Sequence, residues 1–159
     1  LSNLGNAFEA VGAYDKARVA YQQSLKIAQQ AGDRRGEGIA LGNLGTVYAN
    51  LGQDQEAIAA FDQSLKLAQA LNDATGQTSA LLNLGSAHHA LRQLDQAIAF
   101  YEQSLQRAQA TGDRINEARV LGSLGLAYED KKDFPKALAY HQQSLALARS
   151  LNDPEAQSM

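Results

Sequence analysis

The hydrophobic positions along the chain form two alternating stripes. Between residues 41 and 51, apolar side chains recur every three or four residues, at Leu41, Leu44, Val47, Tyr48 and Leu51. After Gly52 the same spacing resumes, at Ala57, Ala60, Phe61, Leu65 and Ala68. An apolar residue at every third or fourth position covers one face of a 3.6-residue helix. The pattern therefore predicts two amphipathic helices joined by a short turn.

This helix pair recurs along the whole chain at a fixed period. The units 1–40, 41–80, 81–120 and 121–159 align without insertion or deletion. Nine positions are identical in all four units, those of Leu1, Leu4, Gly5, Ala17, Gln23, Ser24, Leu25, Ala28 and Asp33. A fixed period is typical of arrays in which each unit buries its apolar face against its neighbours. We predict a single array over 1–159 and, because it starts without Met inside the pattern, a piece of a longer protein.

The turns carry residues that suit helix ends. The turn inside each unit holds Gly12, Gly52, Arg92 or Lys132, so it must tolerate a side chain in the later units. Four dipeptides separate successive units: Gly32-Asp33, Asn72-Asp73, Gly112-Asp113 and Asn152-Asp153. Each combines a residue able to adopt left-handed geometry with an Asp that can cap the next helix. Pro154 then stands at a first helical position, where a missing N–H costs nothing.

The recurring residues resemble the tetratricopeptide repeat. That pattern has Leu, Leu-Gly and an aromatic residue on the first helix, then Ala and a second aromatic residue on the second helix. In the first unit these places hold Leu1, Leu4, Gly5, Phe8, Ala17 and Tyr21. His88 and His141 replace aromatic residues. The period is also longer than the roughly 34 residues of the common repeat. The resemblance implies an all-α, right-handed solenoid of four helix-turn-helix repeats, similar to kinesin light chain-like and Leu-Gly-Asn-like scaffolds and to bacterial regulators.

Each of the two helices of a unit carries one recurring small residue and one recurring large residue. We expect Gly5 and Ala17 where the helix axes cross, because only a small side chain allows a close approach there. Phe8 and Tyr21 are then the large residues that fill the space opposite. This packing role accounts for these residues without a cofactor.

Composition narrows the functional classes. Fourteen Lys and Arg against 17 Asp and Glu give a formal net charge of −3, which provides no broad basic surface for nucleic acid. Without Cys the chain has no disulfide, no thiolate nucleophile and no Cys-based metal centre. It also lacks an apolar run of membrane-spanning length and the order of a signal peptide, so we expect no membrane partner and a cytoplasmic location. No cofactor is implied.

Serines at four equivalent positions invite a catalytic interpretation. They are Ser24, Ser64, Ser104 and Ser144. Each is predicted inside a helix on its buried side, where its hydroxyl can bond the carbonyl four residues back. Because no base accompanies them at a repeated spacing, we predict that the protein is not an enzyme.

The three histidines are the remaining candidates for metal chemistry. His88 and His89 point about 100° apart on a helix and cannot share one metal from one face. We expect His88 in the core and His89 near the inner surface, with Glu129 and Asp130 one unit away. His141 is expected to pack or to face the end of the array. We predict no metal site.

The inner surface follows from the angle of about 100° per residue. Stacked first helices face the concave side in the family that the chain resembles. The predicted groove residues are Asn3, Asn6, Arg35, Asn43, Thr46, Asn50, Ser79, Asn83, Ser86, His89, Arg119, Leu126 and Glu129. The same angle places Leu82 there. Asn3, Asn43 and Asn83 form a ladder whose amides can both donate to and accept from an extended peptide backbone.

These residues predict a non-catalytic protein–protein interaction scaffold that binds a peptide segment of a partner in the concave groove. A regulatory or oligomerisation module of a larger multidomain protein is the alternative, and the sequence leaves it open. Leu1, Leu4 and Phe8 lack a preceding helix pair, and residues 154–159 are too few for a covering helix. We therefore expect end-to-end self-association or further flanking repeats.

Overall fold

The structure is a computed structural model that describes residues 1–152. Within that range it contains eight α-helices and no strand. The helices are α1 (Ser2–Ala10), α2 (Tyr14–Ala31), α3 (Arg34–Asn50), α4 (Asp54–Ala70), α5 (Ala74–Ala90), α6 (Leu94–Thr111), α7 (Arg114–Asp130) and α8 (Phe134–Asn152). Each helix packs against the one before and the one after it. The fold is the predicted all-α, right-handed solenoid of helix pairs.

The junctions between pairs have the predicted geometry. Three residues there adopt left-handed backbone angles, with φ of 67° at Gly32, 52° at Asn72 and 68° at Gly112. The following Asp caps the next helix by accepting a backbone N–H, from Gly36 to Asp33 (2.9 Å), Gly76 to Asp73 (3.0 Å) and Asn116 to Asp113 (3.1 Å). These bonds satisfy donors that the first turn of a helix leaves free. The fourth predicted junction, with Asp153 and Pro154, lies outside the described residues.

The turn within each pair is also left-handed, whatever residue it holds. Gly12 and Gly52 have φ of 72° and 71°, and Arg92 and Lys132 have φ of 61° and 62°. Nothing lies within 4 Å of a Cβ added at Gly12 or Gly52, so there is space for a side chain at this turn. Arg92 and Lys132 instead bear the intrinsic strain of left-handed geometry, about 1–2 kcal/mol for an L-residue.

The two helices of a pair approach most closely at a glycine. A Cβ added at Gly85 would lie closer than 3.0 Å to the ring of Tyr101, and the same is true of Gly45 and Phe61. Both aromatic rings are buried. The predicted pairing of a small residue with a large one is confirmed at this crossing.

The core continues from one pair into the next. Tyr21 on α2 belongs to one hydrophobic cluster with Leu44 and Val47 on α3. A core position without a preceding helix pair is exposed. Leu4 is 48% exposed, whereas Leu44, at the same place one unit later, is 3% exposed. Burial in this array therefore comes from stacking of adjacent units. None of the helices within residues 1–152 has the length and hydropathy that crossing a membrane requires.

Candidate functional site

The first helices of the pairs form the inner side of the array. Helix α3 contacts α5, and α5 contacts α7, whereas no comparable contact joins successive even-numbered helices within residues 1–152. In a curved stack the elements on the concave side lie closest together, so the odd-numbered helices line that side. All thirteen predicted groove residues lie on these helices, and each is exposed or half-buried.

A cavity of about 330 Å³ opens on this side between α3, α4 and α5. It brings together five of the predicted groove residues: Arg35, Asn43, Thr46, Ser79 and Asn83. Eight others lie elsewhere on the inner side and do not line it: Asn3, Asn6, Asn50, Ser86, His89, Arg119, Leu126 and Glu129. Five of the thirteen predicted groove residues therefore lie together, at the junction of α3, α4 and α5.

Helix α4 contributes a wall of this cavity that the sequence analysis missed. The wall consists of Ser64, Leu67 and Ala68 on α4 and of Leu71, which directly follows the helix. Ala68 belongs to the apolar stripe predicted for α4. Ser64, Leu67 and Leu71 follow one another at intervals of three and four residues and form a second stripe beside it. The spacing of this second stripe is visible in the sequence, but only the first helices were expected to line the groove.

Asn43 and Asn83 face the cavity from α3 and α5. Both residues are half-buried, and neither side-chain amide is hydrogen-bonded to another residue in the part of the chain that the structure describes. An amide in this position offers two donors and one acceptor to a ligand. The third member of the predicted ladder, Asn3, is exposed on α1 and lies outside the cavity.

Two of the predicted polar residues are bound to core tyrosines instead. The hydroxyl of Tyr21 donates to Oδ1 of Asn6 at 2.6 Å and lies 3.0 Å from Oε2 of Glu9. Burial first, then the hydrogen bond and charge of Glu9, raise the pKa of Tyr21 to about 12. The hydroxyl of Tyr101 donates to Oγ of Ser86 at 3.3 Å. Asn6 and Ser86 therefore accept hydrogen bonds from the hydroxyl groups of the two buried tyrosines.

The two predicted groove cations have partners on the protein. Arg35 lies 3.2 Å from the Asp73 carboxylate, which also caps α5. Arg119 donates to Oδ1 of Asn116 at 3.0 Å. Of these two cations, Arg35 lies at the cavity and Arg119 does not. The polar groups of the cavity are amides, hydroxyls, the Asp73 carboxylate and the guanidinium groups of Arg34 and Arg35.

The sequence model of the family described as tetratricopeptide repeat matches residues 1–70 and 77–150. This chain belongs to the tetratricopeptide repeat family. No curated protein matches it at the level of sequence.

Three solved structures illustrate the fold that this chain shares with other proteins. BtubC (BKLC) from P. vanneervenii is similar with a TM-score of 0.83 and 24% identity, over 95% of this chain and 63% of that one. The TPR domain of Arabidopsis FLU gives 0.69 and 22%, over 76% of this chain and 99% of that one. The Rap conjugation gene regulator of plasmid pLS20, in complex with the Phr* peptide, gives 0.83 and 16%, over 98% and 43%. This tetratricopeptide array thus spans less than two thirds of two of these proteins.

The repeated serines of this tetratricopeptide array join the helices of a pair. Three of them donate at 2.8 Å to a carbonyl oxygen 26 residues earlier, on the first helix of the pair: Ser64 to Gly38, Ser104 to Thr78 and Ser144 to Ala118. The fourth, Ser24, lies 3.0 Å from the Ser2 hydroxyl. The predicted bond to the carbonyl four residues back is wrong, because the neighbouring helix lies close enough to present its own carbonyl.

The structure corrects two further expectations, those for His88 and Leu82. His88 was expected in the core but is half-buried, stacked on Phe100 at 5.2 Å with Nδ1 2.6 Å from Oε1 of Gln93. His141 packs its ring against Gly125, as expected. Leu82, placed in the groove by angle, is 3% exposed and belongs to the core, because α6 and α7 cover it.

His89 lies in a charged cluster on the inner side. Its Nε2 lies 2.8 Å from Oδ2 of Asp130, which Arg92 also approaches at 2.8 Å. The hydrogen bond from His89, and next that from Arg92, lower the pKa of Asp130. Within residues 1–152, no three His, Asp or Glu side chains converge as metal ligands would. The cluster ties α5 to α7 across neighbouring pairs.

Proposed function

We propose that this tetratricopeptide array is a non-catalytic protein-interaction scaffold that binds a peptide segment of a partner along its inner face. The observation that carries the proposal is the pair of amides of Asn43 and Asn83, which are half-buried at the cavity and unpaired within the described residues. An extended peptide presents backbone N–H and C=O groups in alternation, and an amide can pair with both. The bound peptide would satisfy groups that the protein leaves free.

The size of the cavity also supports a peptide. Its volume of about 330 Å³ is at the lower end of the roughly 300–1,000 Å³ typical of ligand sites. This space suits one or two side chains, with the rest of the peptide lying along the surface. The formal charge of −3 is a reason to leave nucleic acid out of the proposal.

Two of the similar structures support binding of peptides by this fold. The pLS20 Rap regulator is in complex with the Phr* peptide, and a Rap protein is complexed with competence and sporulation factor. They are 16% and 14% identical to this chain, so the support extends to the fold and leaves the peptide open.

A regulatory or oligomerisation module of a larger protein is the second candidate. A signal transduction ATPase with numerous domains from Pyrococcus horikoshii carries a tetratricopeptide repeat sensor, and this chain spans 23% of it. The division into four units over 1–159, the self-association and the cytoplasmic location stay predictions.

The proposal is tested with peptides selected on the protein. A phage library of random dodecapeptides is selected on the wild-type chain, and the affinities of synthetic winners are measured by calorimetry. Asn43→Ala combined with Asn83→Ala should weaken them about tenfold, since each lost hydrogen bond contributes about 0.5–1.5 kcal/mol. The melting temperature should hold or rise, because Ala is the better helix former.

Asn3→Ala is the matched control, because Asn3 occupies the same place in the first unit but lies outside the cavity. Its peptide affinities should equal those of the wild type. If no peptide is enriched over an empty surface, or if the double variant binds as the wild type does, the proposal is wrong.

A further inference from the structure

The cavity depends on four positions with small side chains at one junction of the array. These positions hold Gly38, Gly42, Gly76 and Ala80. At the next junction, one unit later, the same positions hold larger residues: Thr78, Leu82, Asn116 and Val120. All four larger residues are buried. The second junction is therefore filled by the protein's own side chains where the first is open.

Helix packing does not require two of these glycines. A Cβ added at Gly42 would lie 3.6 Å from the nearest atom, the hydroxyl oxygen of Ser64, and one at Gly38 would lie 3.6 Å from Leu67. Both distances are ordinary van der Waals contacts. A glycine inside a helix is less stable than Ala by about 0.8–1 kcal/mol. At these two positions Ala would be more stable and would cause no clash. The space that they leave is the feature that needs an explanation.

The lining of the space indicates an aliphatic ligand group. Leu67 and Ala80 lie beside it, and Ile39 and Leu71 expose 55% and 44% of their surface next to it. Filling the cavity with an aliphatic side chain would bury this apolar surface, which is favourable at about 25 cal/mol per Å². A polar ligand group would find no hydrogen-bond partner on the side chains of these four residues.

The mouth of the cavity presents positive charge. The side chains of Arg34 and Arg35 are 65% and 70% exposed, whereas those of their partners, Glu37 and Asp73, are 16% and 18% exposed. A ligand that reaches the mouth therefore meets guanidinium groups before carboxylates. This arrangement is complementary to an acidic side chain on the ligand.

We propose that the cavity at the α3, α4 and α5 junction holds one aliphatic side chain, of Leu, Ile or Met size, from a partner peptide with an acidic residue next to it. This inference rests on the proposed function and adds the chemistry of the ligand. The aliphatic side chain anchors the peptide in the space that Gly42 leaves. The acidic residue faces Arg34 and Arg35, where exposure to solvent keeps its contribution small.

The test uses the peptides selected on the wild-type chain. Their sequences should share an aliphatic residue with Asp or Glu within two positions of it. Gly42→Leu, which introduces the residue found at the equivalent Leu82, should weaken them at least about tenfold. Gly122→Leu is the matched control, since a Cβ at Gly122 also lies 3.6 Å from a serine hydroxyl, that of Ser144, and Gly122 does not line the cavity. It should leave the affinity within about twofold.

A change in the peptide provides a second measurement that does not depend on a variant folding. Replacing the aliphatic residue by Ala should weaken binding to the wild type at least about tenfold and should have little further effect on Gly42→Leu. Such non-additivity is the mark of a direct contact.

Each contrary result has a defined meaning. Peptides that need Asn43 and Asn83 but ignore Gly42→Leu would overturn the cavity assignment and leave the scaffold proposal standing. Failure to select any peptide would overturn both. A change in the light-scattering mass of the free protein on Gly42→Leu would show that a second copy of the chain fills the cavity, and would also overturn the assignment.

Discussion

The glycine at the helix crossing provides a sharp test of the packing argument. Gly85→Ala places a Cβ closer than 3.0 Å to the ring of Tyr101, which is 2% exposed. The ring has little room to move, because its hydroxyl is bonded to Ser86 and its edges are packed in the core. Forcing an extra methyl group into a packed core costs about 1–3 kcal/mol. The higher helix propensity of Ala stabilises the folded protein by about 0.8–1 kcal/mol. We expect a net loss of about 1 kcal/mol, and at most about 2 kcal/mol.

Gly42→Ala is the matched control for the helix propensity. Its new Cβ meets nothing closer than 3.6 Å, so only the gain of about 0.8–1 kcal/mol remains. Gly125→Ala lies between the two. Its Cβ would approach the ring of His141, whose side chain is 40% exposed and can move outward. The expected order of stability is Gly42→Ala, wild type, Gly125→Ala and then Gly85→Ala.

Urea unfolding followed by far-ultraviolet circular dichroism measures this order. The two variants share the gain in helix propensity, so they should differ by the packing cost of about 2 kcal/mol. This difference corresponds to about 1 M in the urea midpoint at a typical dependence on urea. The reasoning would be refuted if Gly85→Ala were as stable as Gly42→Ala. The close approach of the helices would then not be what requires the glycine.

Two further predictions concern the left-handed turns within pairs and the buried tyrosine. Lys132→Gly should raise the free energy of unfolding by about 1 kcal/mol, and Gly52→Ala should lower it by a similar amount, because both sites are left-handed. Equal urea midpoints for these variants and the wild type would contradict this. Tyr21 should ionise near its raised pKa of about 12, measured as the ultraviolet difference from Tyr21→Phe. Since the unfolded chain ionises near 10.0, the stability from Tyr21 is present below pH 10 and is lost towards pH 12. Ionisation of Tyr21 near pH 10 would show that neither burial nor Glu9 acts on it.

The local structure of this array could be predicted from the sequence. Intervals of three and four residues defined the helices, and the Asp residues after Gly32, Asn72 and Gly112 marked where helices begin. These features depend on groups only a few residues apart, so the local chain is sufficient to specify them. The fixed period then implied that every unit packs as its neighbours do. The residues expected on the inner face followed from the same periodicity, together with the resemblance to the family, which placed the first helices on the concave side.

The tertiary structure decided which of these residues meet. Leu67 on α4 and Leu71 just after its end line the cavity, and Leu82, which the helical rotation per residue placed in the groove, is covered by α6 and α7. Ser64 bonds a carbonyl on the neighbouring helix instead of its own. Each of these contacts joins residues on different helices, and depends on how far apart the helix axes lie. Side-chain volumes at several crossings set that distance together, so no single helix of the sequence specifies it.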